Sequence, residues 1–152
     1  MGFEKEIQQS SFRNEYHKLI MNLIYTSNSV LEKVKHLLES EDITHQQYNI
    51  LRILRASQKP LSTLQIRERM LDKMSDTSRI VERLLKKELV NKETCSYDKR
   101  LVDITITEKG TELLQRLDKQ DDQIDAIAST LNTEEAKILN ALLDRLREKR
   151  ES

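Results

Sequence analysis

Tight turns have little to work with in this chain: two glycines and one proline in 152 residues. That scarcity excludes a fold of many hairpins and favours one built mostly of helix. The single cysteine, Cys95, excludes an intramolecular disulfide framework and fits a reducing, cytoplasmic setting. Tryptophan is absent. No apolar run approaches the roughly 18–20 residues that would span a bilayer. The opening MGFEKEIQQSSF has no apolar secretory core. Neither insertion into a membrane nor export is expected.

What the chain has in quantity is charge, 34% of its residues, balanced to a formal net of zero. The balance is not uniform. Residues 1–45 hold 5 Lys+Arg against 7 Asp+Glu, residues 46–107 hold 13 against 8, and residues 108–152 hold 8 against 11. A basic middle between acidic ends points to a polyanionic partner for the middle, because a phosphate backbone responds to the local field.

Apolar residues recur at spacings of three and four from Phe12 through Tyr16, Leu19, Leu23, Val30 and Val34 to Leu38, predicting one long helix over about residues 11–39. Thr44 with Gln47 and Ser62 with Gln65 form two capping boxes, each opening a shorter helix. The second of these has Leu64, Ile66, Met70 and Leu71 as its apolar positions. Ser75 is the expected cap of a third helix over about 76–88. Val102-Asp103-Ile104-Thr105-Ile106 alternates as a strand does, and pairs with an extended Leu89–Cys95 to give the one hairpin. Thr107 caps a further long helix reaching Leu131, and LNTEEA separates it from a last helix ending near Leu146.

Two short helices joined by a tight turn suggest a helix-turn-helix. In SDTSRIVERLLKK, Ile80, Val81, Leu84 and Leu85 share one arc, and Ser75, Arg79, Glu82, Arg83 and Lys86 lie opposite. The planar fork of arginine can grip a guanine edge or a phosphate with two hydrogen bonds. Ser75, Thr77 and Ser78 in the first turn bring hydroxyls and free N–H groups suited to phosphate. Asp76 and Glu82 on the same side oppose a polyanion. The hairpin tip then places Asp98, Lys99 and Arg100 where a wing could enter a neighbouring minor groove, with Asp98 positioned to hold the Arg100 guanidinium.

These motifs in this order resemble the multiple-antibiotic-resistance regulator (MarR) family of winged-helix transcription factors. ITHQQYNILRIL is similar to the family's entry into its DNA-binding lobe, SDTSRIVERLLKKELV to its recognition helix, and SYDKRLVDITITEKG to its wing. The acidic-x-Arg tip of that wing falls on Asp98 and Arg100. One departure is Glu88, which stands where the family commonly has glycine and so lacks the easy left-handed helix exit. Asp76 replaces a small or neutral residue.

The expected fold is therefore mainly α with one β-hairpin wing, a winged helix-turn-helix carrying N- and C-terminal dimerisation helices. Residues 1–42 form the N-terminal dimerisation helix, 43–106 the DNA-binding lobe, and 107–152 the C-terminal dimerisation helices. The long apolar stripes of the terminal helices need a partner, and a two-fold homodimer supplies one. The expected partners are double-stranded DNA and a second copy of the chain, with repression of transcription from a pseudo-palindromic operator as the outcome.

The resemblance also implies a small-molecule effector between the lobes, for which Tyr16, His17, Tyr48 and Arg52 are the candidate ligand-binding residues. Cys95 is expected to be an inert thiol, and Asp121, Asp122 and Asp125 a solvated face. No metal, cofactor or catalytic constellation is expected. The competing reading is a winged-helix module for protein–protein contact, its basic face weakened by Asp76 and Glu82.

Overall fold

The computed structural model describes residues 2–94, 98 and 102–150. A short α1 (Phe3–Glu6) precedes α2 (Glu15–Leu38), and a 3-10 turn at Glu39–Glu41 leads to α3 (His45–Ser57). Then come α4 (Thr63–Arg69), α5 (Thr77–Lys86), the antiparallel strands β1 (Val90–Thr94) and β2 (Val102–Ile106), α6 (Glu108–Asp118), α7 (Asp121–Ala126) and α8 (Thr133–Leu146). Both capping boxes form as the sequence predicts, at Thr44/Gln47 and Ser62/Gln65.

Several features differ from expectation. The first long helix begins at Glu15, because Asn14 takes the cap and accepts from the His17 N–H. Its 24 residues span about 36 Å. The segment before it folds back: Phe3 is buried, stacked on Phe12 at 5.8 Å and tilted against Tyr25 at 5.6 Å between ring centroids. The helix expected from Thr107 to Leu131 is broken in two, with α6 ending at Asp118 and α7 starting at Asp121. In α4 the expected apolar set splits. Ile66 and Met70, four residues apart, are buried, while Leu64 lies on the opposite side and Leu71 beyond the helix end, both exposed.

One core holds the head together. Ile50, Leu51, Ile66, Leu84, Ile104 and Leu114 are its most enclosed members, contributed by α3, α4, α5, β2 and α6. Val90 pairs with Ile106 and Lys92 with Ile104 across the hairpin. Leu61, in the α3–α4 loop, exchanges two backbone hydrogen bonds with Ile104, at 3.1 and 2.8 Å, and so adds a third partner to the wing. Gly110 lies in the first turn of α6 directly against the exit of α5; a Cβ there would stand 2.4 Å from the Leu89 carbonyl oxygen.

Because glycine is scarce, other residues take the left-handed positions: Gln8, Asp42, Gln58 and Glu88 all have φ between 52° and 61°. Glu88 ends α5 in the place where the sequence lacks glycine. A non-glycine residue in this region costs about 1 kcal/mol or more, partly offset on substitution by the greater freedom of unfolded glycine. Glu88→Gly is expected to raise the thermal midpoint by about 2 °C, read by differential scanning calorimetry.

Two ion pairs bind α6 to the rest. Arg55 of α3 donates to both Asp118 oxygens, at 2.8 and 3.1 Å. Arg116 donates three bonds to Glu41, at 2.8 to 3.2 Å. The hydrogen bonds from Arg116 hold the Glu41 carboxyl below its ordinary value, outweighing the opposing effect of burial. A folded-state pKa below the unfolded one stabilises above the unfolded value and is lost as pH falls through the folded one. The stability gap between the parent and Glu41→Gln is therefore expected near neutral pH and to close as pH falls below about 4.3, the value of a free glutamate. Urea denaturation at a series of pH values checks it.

Candidate nucleic-acid interface

The recognition helix presents the two faces its sequence predicts. Val81 and Leu84 are buried, Ile80 and Leu85 pack at the edge of the core, and Ser78, Arg79, Glu82, Arg83 and Lys86 are exposed. Its N-terminus differs from expectation. Asp76, not Ser75, caps the helix, its carboxylate accepting from the Arg79 N–H at 3.2 Å. Ser75 is half-buried and its hydroxyl donates to the Asp72 carbonyl at 2.7 Å, so it serves the turn. Thr77 is turned inward and only 4% exposed, which removes it from the outer face. Its helix position explains this, since Val81 and Leu84, four and seven residues on, share its side.

The electrostatics of the outer face favour a polyanion more than the bare sequence does. Glu82 is engaged by Lys92 of β1 at 3.1 Å, so one of the two opposing carboxylates is neutralised locally. Among the described residues, no ion pair holds Arg79, Arg83 or Lys86, and these cations stand free on one exposed surface. Lys87, by contrast, turns away to bond the Asp42 carbonyl and the Gln47 amide oxygen, the latter at 3.1 Å.

The wing is fixed to this helix at several points. The Glu82–Lys92 pair is one. At the other end, the Thr107 hydroxyl donates to the Glu88 carbonyl at 2.8 Å and its N–H to the Leu89 carbonyl at 3.0 Å, while Lys109 reaches the Lys87 carbonyl at 3.0 Å. With the Leu61–Ile104 bridge, hairpin and recognition helix form one unit. Asp98 is half-buried. Lys99, Arg100 and Cys95 lie outside the described residues, and so does the pairing of Asp98 with Arg100.

A second feature lies between the head and the long helix. A cavity of about 750 Å³ is bounded by Val30, Leu31 and Val34 of α2, Tyr48 and Arg52 of α3, and Ile124 of α7. The Arg52 guanidinium sits 5.7 Å from the Tyr48 ring centroid. Of the four candidate ligand residues, the structure brings together Tyr48 and Arg52. It does not bring Tyr16 and His17 to this cavity: Tyr16 is exposed near the start of α2, and His17 packs edge-on to Phe12 at 5.7 Å. Asp121 and Asp125, read from sequence as a solvated face, are exposed but stand at the cavity rim with Asp118. No local motif signals them, because the cavity exists only where separate helices meet.

A buried helix-turn-helix core, an outward cationic recognition helix and a hairpin clamped beside it define a winged helix-turn-helix protein. The MarR family model matches residues 43–102, the span from the start of α3 to the start of β2. Within the chain, this matched segment carries the MarR-type winged helix. No curated protein matches the sequence.

Solved structures share the fold at low identity. A MarR-like transcription regulator from Bacillus cereus ATCC 10987 is 22% identical over 88% of this chain and 96% of its own, with a TM-score of 0.79. A MarR variant from E. coli, complexed with operator DNA, is 19% identical over 91% and 100%, with a TM-score of 0.82. BpsR of Bordetella bronchiseptica, whose DNA binding is regulated by 6-hydroxynicotinic acid, is 20% identical over 86% and 99%, with a TM-score of 0.76.

Proposed function

We propose that this MarR-family regulator works as a homodimeric repressor on a pseudo-palindromic operator and is released by a small molecule bound between its lobes. The observation that carries the DNA contact is the set of free cations on α5, Arg79, Arg83 and Lys86, on the surface where Glu82 is already neutralised. Arg79, Arg83 and Ser78 enter the major groove, Lys86 meets the backbone, and the wing tip with Lys99 and Arg100 reaches the adjoining minor groove.

Dimerisation is supported by apolar surface that the single chain leaves open. Leu19, Ile20 and Ile24 of α2 and Ile138, Leu139 and Leu142 of α8 are all exposed, and α8 has no buried residue at all. Stripes of this length mark an interface. The operator complex of the E. coli relative supports the same use of the head, and the regulation of BpsR by an aromatic acid supports an effector in the Tyr48–Arg52 cavity.

The test is selection from a random duplex library at two salt concentrations, with multi-angle light scattering of the protein and its complex. The expected result is enrichment of an inverted repeat, bound by two chains, with affinity falling steeply as salt rises. Absence of enrichment, with salt-independent retention of proteins instead, would give the head to protein–protein contact.

A further inference from the structure

The turn ahead of the recognition helix and the first turn of α4 both expose apolar side chains. Met74 is 93% exposed, and Leu64 in the first turn of α4 is 63% exposed. A single exposed apolar residue is ordinary. These two converge: with Thr63, Arg67, Asp76 and Ser78 they line one hollow of about 490 Å³ between the starts of α4 and α5. Leu71, also exposed, borders the effector cavity instead.

The charge of the hollow decides what suits it. Arg67 and Asp76 are its ionised groups and cancel. Asp76 already caps α5, so its carboxylate occupies the helix N-terminus where a phosphate would otherwise be drawn. Thr77 also lines the hollow, but its hydroxyl oxygen is shut off from solvent. What this lining leaves open for contact is the apolar surface of Met74 and Leu64, which suits an uncharged apolar group. The hollow is continuous with the outer face of α5 through Ser78, which is exposed and belongs to both. On the floor of the major groove the apolar group is the C5-methyl of thymine.

We propose that Met74 and Leu64 read a thymine methyl in each half-site, next to the bases reached by Arg79. The inference rests on the DNA-binding reading above and adds a specificity determinant that lies ahead of the recognition helix, in the turn and the preceding helix. Burying a methyl-sized group changes affinity about fourfold, the equivalent of about 0.8 kcal/mol. Two half-sites of a homodimer multiply this to about fifteenfold.

The test uses the intact protein and a duplex selected by it, with each thymine in turn, in both half-sites at once, replaced by deoxyuridine, which removes the methyl alone. One position is expected where the replacement weakens binding about fifteenfold for the parent, but by about twofold or less for Met74→Ala and Leu64→Ala. Both variants should keep the parent's circular dichroism and salt slope, since neither side chain is charged or buried. Uniform indifference to deoxyuridine overturns the proposal, as does a sensitive position that stays equally sensitive in both variants. Failure of any duplex to enrich overturns the DNA reading itself, and this inference with it.

Discussion

Gly110→Ala is expected to lower the stability of the protein by about 2 kcal/mol. In most helices the same change raises stability by up to about 1 kcal/mol, because alanine loses less backbone freedom on folding than glycine does. Here that gain meets a wall. The new Cβ would lie 2.4 Å from the Leu89 carbonyl oxygen and 2.7 Å from Cγ1 of Ile106. The first contact is with backbone and cannot be relieved by a rotamer change, so the start of α6 must move. That start is where Thr107 and Lys109 bond the carbonyls of Glu88, Leu89 and Lys87. Loosening it loosens the join between recognition helix and wing. Urea denaturation should show a lower midpoint at unchanged slope, and DNA affinity should fall with it. A midpoint equal to or above the parent's would mean the close approach does not exist.

The second large effect is on binding. Arg79→Ala and Arg83→Ala together are expected to weaken duplex affinity about a thousandfold or more, since each arginine contact is worth about 1–3 kcal/mol and occurs twice in the proposed homodimer. Both side chains are exposed and, among the described residues, free of ion pairs, so their loss should leave stability within about 0.5 kcal/mol of the parent. The single variants separate the roles. An arginine that meets a phosphate flattens the salt dependence when removed and leaves base preference intact; one that grips a guanine relaxes preference at that position. Arg79 is assigned the base and Arg83 the mixture. Fluorescence anisotropy on the selected duplex and its point variants reads both quantities. Unchanged affinity in the double variant would remove α5 from the interface.

Most of the head could be read from the sequence because its determinants are local. A capping box declares itself within four residues, and both did, at Thr44 and Ser62. The inner arc of α5 follows from spacing, and Val81 and Leu84 sit where it puts them. The readings that changed depend on competition between neighbours. Ser75 and Asp76 are both good caps; the turn takes the serine hydroxyl for the Asp72 carbonyl, which leaves the aspartate for the helix. Thr77 looks like a first-turn solvent hydroxyl until its spacing to Val81 and Leu84, four and seven residues on, is counted, which puts it on the inner side. The break after Asp118 falls at Lys119 and Gln120, where neither glycine nor proline marks it, and the following residues retain helical periodicity. Leu64 and Leu71 looked like core by residue type, but Leu64 lies about 200° around α4 from Ile66 and Leu71 falls beyond the end of the helix. Tyr48 and Arg52 fall at the cavity while Tyr16 and His17 do not, since which helices meet is not written in any one of them.

The two hydrogen bonds between Leu61 and Ile104 bear on how a signal could travel. They anchor the hairpin to the loop that opens the helix-turn-helix, so the wing has no hinge of its own at its base. If the Tyr48–Arg52 cavity holds an effector as proposed, its binding would displace α5 and the hairpin as a single lever. In the proposed homodimer, a free and an effector-bound state would then differ in the distance and tilt between the two levers, with the shape of each one untouched.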